Sequence, residues 1–471
     1  MTYKPVNKTI IFLLALLFML ASCKSDRKEI KEQDLLATIK QRGKLIVACN
    51  YNSIDYFIYK GLPMGFQLEM LKAFSKHLGV KLEFLITNNL ASTAGLLAIG
   101  KCDLIAFNIT VTKQRSQIVD FSIPIMQTRQ VLVQRIPCKT TESSIKNIKL
   151  IRYLADLHDK TIYIQKNSVH YNQLMDIQRI INGKIHIIES DSLETEQLME
   201  LVANGSIDYT VANENFALVN KTYYNNLDVK TPISHVQNLA WAVRHQSDSF
   251  LLLLNTWLRK FKTTSQYQMI YDKYYRNPRS ANMVHHEFYA IKKGKISKYD
   301  KEIKKYSKMI GWDWRLLASL IYQESNFRPE MVGWSGAFGI MQMMPETAKR
   351  FGVTQKSSVA EQIKGGARLK MLLDKLLPKE ITDPEERTKF ILASYNAGLE
   401  HIMDARNLAK KYGKNPNLWT DHVEYFLKLK SKPKFYNDPV VKHGYSRGYE
   451  TFCFVNEVLE RYKHYKNIVR K

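Results

Sequence analysis

The feature that limits this chain most is a change of rhythm along it. From Arg42 to Arg276, short apolar runs of strand length alternate with longer runs of helical period; beyond about Lys298 only the helical period remains. "KLIVAC", "KLEFLI" and "CDLIAF" read as strands, and between them "FQLEMLKAFSKHLG" spaces Phe66, Met70, Phe74 and Leu78 every four positions, on one buried stripe. A second block from about Asp159 repeats the pattern with "KTIYIQ", "KIHIIE" and "IDYTVA". Alternation of this kind predicts α/β layers with largely parallel sheets, here two lobes forming a clamshell around a cleft. The last third is predicted to be a mainly α domain. A chain of 471 residues is too long for one core at ~100–200 residues per domain.

The expected organisation is an export signal at 1–22, a tether at 23–40, the clamshell at 41–275 with its second lobe at about 137–230, a linker at 276–299, and the α domain at 300–471. Lys4 and Lys8 precede an apolar run from Ile10 to Leu20, too short to span a bilayer that requires about 20 residues, so the run reads as a signal and not as a membrane helix. Cys49, Cys102, Cys138 and Cys453 are scattered with no C-x-x-C spacing, which predicts neither a metal centre nor a dense disulfide framework. No cofactor or metal is expected. The formal net charge of +26 suits a polyanion: nucleic acid, an anionic membrane face, or a cell wall bearing carboxylates. An export signal argues against nucleic acid and leaves the other two.

Within the α part, "GWDWRLLASLIYQES" puts Leu317, Leu320, Ile321 and Glu324 on one helical face. A carboxyl there is partly buried and stands at the negative end of a helix dipole; both raise its pKa. It either reaches water at the helix end or serves as a general acid, for example towards a glycosidic oxygen. Pro329 stops the helix, Gly333, Gly336 and Gly339 open the backbone, and Pro345 suits the start of a new helix. Ordinary glycosidases use two carboxylates, yet the spacing of Glu330 and Glu346 marks neither as a nucleophile. A lone acid fits a route in which the substrate supplies its own nucleophile.

The run "ESNFRPEMVGWSGAFGIMQMMPETA" resembles the signature of family 1 lytic transglycosylases, whose domain is goose-lysozyme-like; "QIKGGARLKMLL", "ILASYNAG" and "YETFCFV" resemble its other segments, over roughly 300–460. The resemblance implies cleavage of the MurNAc–GlcNAc bond of peptidoglycan without water, leaving a 1,6-anhydro end. It implies Glu324 as acid and then base, Gln342 and Tyr395 lining the sugar site, and Asn396, Glu450 and Thr451 in support. Tyr395 fits a packed aromatic on an apolar helix equally well. Gly333 stands where the family often has serine, with Ser335 nearby to compensate; Gln362 and Phe454 also depart from the pattern. A hydrolytic muramidase and a catalytically silent sensor that only holds glycan or peptide stand as alternatives.

"MGFQLEMLKAFSKHLGVKLEF", "GKCDLIAFNITVTKQRSQIVDFSIP" and "NGSIDYTVANENFAL" resemble family 3 periplasmic solute-binding proteins, from about 40 to 275. That likeness implies Arg115 as the bidentate grip on a ligand carboxylate, with Thr110 and Asn108 beside it. Asn213 falls where an acid usually holds the ligand ammonium, with Glu214 adjacent as a substitute. The implied ligand is an amino acid, a peptide or a muropeptide. Leu20-Ala21-Ser22-Cys23 resembles the lipobox of bacterial lipoproteins, which implies a lipid on Cys23; Lys24 in place of an aspartate points to the outer membrane, facing the periplasm.

Overall fold

The computed structural model describes residues 34–87, 90–137, 150–277 and 294–469. The signal, Cys23, Cys138 and most of the expected linker lie outside them.

The first lobe is built on β1 (Lys44–Cys49), the hairpin of β2 (Phe57–Tyr59) and β3 (Leu62–Met64), β4 (Lys81–Ile86), β5 (Leu104–Thr110), β6 (Asp120–Phe121) and β7 (Met126–Thr128). The second carries β8 (Gln130–Arg135), β9 (Thr161–Gln165), β10 (His186–Ser190), β11 (Tyr209–Asn213) and β12 (Leu227–Pro232), and β13 (Gln237–Val243) returns to the first. The sheets run β4-β1-β5-β13-β6 and β10-β9-β11-β8-β12, so the chain crosses between lobes twice. Each sheet is mixed rather than largely parallel: β1 pairs β4 and β5 in parallel, while the returning β13 is antiparallel to β5, and β8 is antiparallel to β11 and β12. A strand that re-enters from the other lobe arrives in the opposite sense, which strand-by-strand reading does not reveal.

Three expected boundaries shift. The helix Leu35–Arg42, capped by Asp34, buries Leu35 and Ile39 in the first lobe's core, so the tether ends before residue 35 instead of at 40. The second sheet begins with β8 at Gln130, ahead of the expected 137. At the linker's far end Ile296 is buried in the α domain's core, and Asp300 accepts from the backbone N–H of Ile296 and Ser297, so these residues belong to that domain.

The α domain is a set of helices around one core. Its long last helix, Gly448–Ile468, packs against Trp314–Ser325 and Pro384–Ala397. Ser319 Oγ donates to Val458 O at 2.6 Å, and Arg315 Nη1 to Val469 O at 2.7 Å, fixing the helix that carries Glu324 against the last one. The hairpin β2–β3 leaves the clamshell and enters this domain: Ile58 is fully buried in the α core, and Tyr465 Oη donates to Gly61 O at 2.6 Å.

Candidate active site

The helix Trp314–Ser325 starts at Asp313, whose carboxylate accepts from Arg315 N, and stops where Asn326 and Phe327 take left-handed φ of 51° and 61°. Glu324 therefore sits in the last turn, with one edge open. No hydrogen bond or ion pair reaches its carboxyl among the described residues, and burial alone pushes its pKa up to about 8. Tyr395, at the end of Pro384–Ala397, lies close enough that Glu324's charge adds to burial in raising its phenol. Its Oη donates to Met341 O at 2.8 Å, so the tyrosine holds the loop beyond the acid.

That loop is held by side-chain amides. Gln342, itself at a left-handed φ of 45°, donates from Nε2 to Met331 O at 2.9 Å and Gly339 O at 2.8 Å. A Cβ on Gly333 would stand 3.0 Å from Gln342 Oε1, tighter than ordinary contact, a local reason for glycine in place of serine. Gln362 accepts from Ile340 N at 2.8 Å and donates to Ser357 O at 2.9 Å, and Ser325 Oγ donates to Ile340 O at 2.8 Å. The sequence reading missed Ser325 as a loop anchor; its position beside the acid was the available signal. Trp334 and Ser335 stand exposed at the tip of a turn closed by Gly336 N donating to Gly333 O at 2.9 Å. Next to Tyr395 in the chain, Asn396 Oδ1 accepts from Thr451 Oγ1 at 2.8 Å, and the exposed Glu450 faces Arg447 at 3.5 Å. Phe454 is buried in the core.

A second site lies in the clamshell, a cleft of about 850 Å³ lined from both lobes. Arg115, Thr110, Asn108 and Asn213 all line it. Arg115 donates to Thr110 O at 3.1 Å, and burial lowers its pKa to about 10. Asn213 Oδ1 is buried without a hydrogen-bond partner. Glu214 is a correction: it is absent from the cleft wall and pairs with Arg129 at 2.7 Å, because it opens a helix immediately after β11 and turns outward. The acids that do line the cleft include Asp55 and Glu196, which went unread. Burial raises Asp55 to about 6 against the donors Asn52, Asn50 and Asn108, while Glu196 Oε2 accepts from Ser53 N at 3.1 Å across the two lobes. His170 bonds Gln130 Oε1 at 2.7 Å and is held neutral, its pKa lowered to about 4 by burial and then by Arg115.

Residues 44–277 match the family of bacterial extracellular solute-binding proteins, family 3, and residues 301–418 match the transglycosylase SLT domain. A membrane-bound lytic murein transglycosylase F from Desulfosudis oleivorans is 32% identical over 433 residues, covering 90% of each chain. One of the same name from Saccharophagus degradans is 32% identical, covering 90% of this chain and 82% of that one. Among solved structures, the solute receptor for L-cysteine of Neisseria gonorrhoeae is similar at 21% identity and a TM-score of 0.44, covering 51% of this chain and 92% of that one. Identity of 32% over 90% of this chain and 82–90% of these relatives shows that the chain belongs to the membrane-bound lytic murein transglycosylase F family.

Proposed function

We propose that Glu324 performs the lytic cleavage of peptidoglycan for which this family is named. The chain is a lytic transglycosylase with a solute-binding N-terminal domain. The observation that carries the assignment of the acid is a carboxyl without a partner among the described residues, held by burial at a pKa of about 8 in the last turn of a fixed helix. Near neutral pH it holds a proton. It gives that proton to the glycosidic oxygen as the C1–O bond of MurNAc breaks, and the carboxylate so formed takes the proton of the C6 hydroxyl as that oxygen closes on C1. One bond forms for each broken, the proton returns to Glu324, and no water enters. Glu330 and Glu346 are exposed, which fits a route without a second carboxylate. Gln342 and Tyr395 shape the sugar site by holding the loop 331–342, with Asn396, Thr451 and Glu450 in support and Ser335 at the loop tip.

The test is mass spectrometry of peptidoglycan digested by the detergent-solubilised full chain beside its Glu324→Gln variant. Anhydro-muropeptides from the wild type alone are expected. Reducing-end products would make the protein a hydrolytic muramidase, and glycan binding without any product would make it a sensor.

The clamshell is proposed to bind an amino acid, peptide or muropeptide, with Arg115 on its carboxylate and the acids of the wall, together with the amide oxygen of Asn213, on its ammonium. Occupancy is proposed to adjust cleavage, because Asn52 and Asp55 of the cleft lead directly into the hairpin β2–β3 seated against the Glu324 helix. A lipid on Cys23 is proposed to anchor the protein to the outer membrane on the periplasmic side; fatty-acid label retained by Cys23→Ala would refute the anchor. No helix among the described residues is long and apolar enough to cross a membrane.

A further inference from the structure

The residues just before the last helix form a surface the cleavage chemistry does not use. Between Tyr425 and Tyr449 the chain carries Lys428, Lys430, Lys432, Lys434, Lys442 and Arg447 against a single acid, Asp438. Two of these charges are cancelled inside the fold: Lys430 is fully buried on Asp404 at 2.7 Å, and the buried Asp438 is taken by Lys411 at 2.7 Å. The exposed remainder, Lys432, Lys434, Lys442 and Arg447, is cationic with no exposed acid among it. Glu450, just beyond, meets Arg447 only at 3.5 Å with both side chains mostly in solvent, a pair of little strength.

This ridge is continuous with the site. Gly448 packs on Leu427 O, where a Cβ would come within 1.7 Å, so the residues before the helix are locked to the helix Glu424–Leu429. Tyr436 and Tyr445 meet edge to face at 5.9 Å. The Arg447 guanidinium lies 5.7 Å from the ring of Trp334, which is 91% exposed on the turn beside Gly333. This contact joins the residues before the last helix to the turn of the loop that follows Glu324. An exposed indole beside a guanidinium offers a flat apolar face next to a planar cationic fork, and the two together suit a ligand with an apolar face and a carboxylate.

We propose that Trp334 and Arg447, backed by Lys432, Lys434 and Tyr445, form a binding surface for the peptide-bearing part of the glycan strand, taking a sugar face on the indole and stem-peptide carboxylates on the cations. The enzyme then favours glycan whose stem peptides keep free carboxylates. The assignment rests on the reading of Glu324 as the acid that cleaves the glycan.

The test is co-sedimentation of the full-length Glu324→Gln protein in detergent with insoluble peptidoglycan, untreated or with its peptide carboxyls converted to amides by carbodiimide and ammonia. Untreated wall is expected to bind about fivefold tighter, with the difference lost in high salt. Arg447→Gln is expected to bring the ratio below about twofold, Arg447→Lys to restore part of it, and Lys432→Gln with Lys434→Gln to lower it independently. Equal binding to both walls, or an unchanged ratio in Arg447→Gln, overturns the proposal. So does a ridge that serves the membrane: loss of binding to phosphatidylglycerol vesicles in Arg447→Gln while the wall ratio is unchanged. Product analysis of the unmodified protein separates the two readings. Anhydro ends without a carboxylate preference discard the surface and keep the activity; a preference without anhydro ends discards the activity and keeps the surface.

Discussion

The burial of Glu324 costs stability at high pH, a cost that its proposed role as the acid explains. In the fold its pKa is about 8, against an ordinary 4.5 in the unfolded chain, so between those values the folded state holds a proton that the unfolded state has released. Stability from this group is fully present below about pH 4.5 and is lost as pH rises through about 8. Glu324→Gln removes that dependence: at pH 9 the variant is expected to be roughly 1–3 kcal/mol more stable in denaturant titration, discounted for the open edge of the side chain, while producing no anhydro ends. Wild-type cleavage is expected to fall as pH rises through about 8, since only the protonated acid can donate. The acid's place on an apolar helix face was legible from a spacing of three and four residues. The duty of Gln342 was not, because a left-handed φ and the spending of both amide hydrogens on carbonyls of the loop are properties of a closed turn, invisible in the order of residue types.

At the scale of an element, the hairpin β2–β3 matters most. Its Gly61 has φ +80°, and a Cβ there would meet Phe327, Tyr322 and the Tyr465 hydroxyl at 2.7–2.8 Å. Tyr322 and Phe327 flank Glu324 on either side in the chain. Gly61→Ala is therefore expected to cost about 2–4 kcal/mol in thermal or denaturant unfolding, through left-handed strain together with overpacking, and to lower cleavage beyond what partial unfolding explains. Normal stability in this variant would show that the hairpin is not clamped as described. The sequence carries no sign that "YFIYKGLPMG" forms a hairpin whose tip leaves its own domain, because the apolar Ile58 would look the same in a loop or in either core.

The whole molecule is two recognisable domains joined by an interface in which a residue of one, Ile58, lies in the core of the other. Tyr56 Oη and His464 Nδ1 lie 2.7 Å apart between the clamshell and the last helix, both buried, and burial together with the nearby charges of Lys72 and Arg461 keeps His464 neutral, its pKa down to about 3. The hairpin and this contact give the cleft a short solid path to the Glu324 helix, so a ligand that shifts the lobes has a route to the acid. Saturating the clamshell with a stem-derived peptide is expected to change the cleavage rate in the wild type but not in Arg115→Ala. Binding that leaves the rate untouched would remove the coupling. What the sequence by itself determined is what rests on local order: the α/β-then-α sequence of elements, the acid on its helix face, Arg115 in its motif, and the two family likenesses. Only the tertiary structure decided that Glu214 faces Arg129 while Asp55 and Glu196 face the cleft, that the sheets are mixed, and that a hairpin of one domain is seated in the other. Local order sets which residues share a face, but which face meets which partner depends on contacts hundreds of residues apart, and those are fixed by packing, not by period.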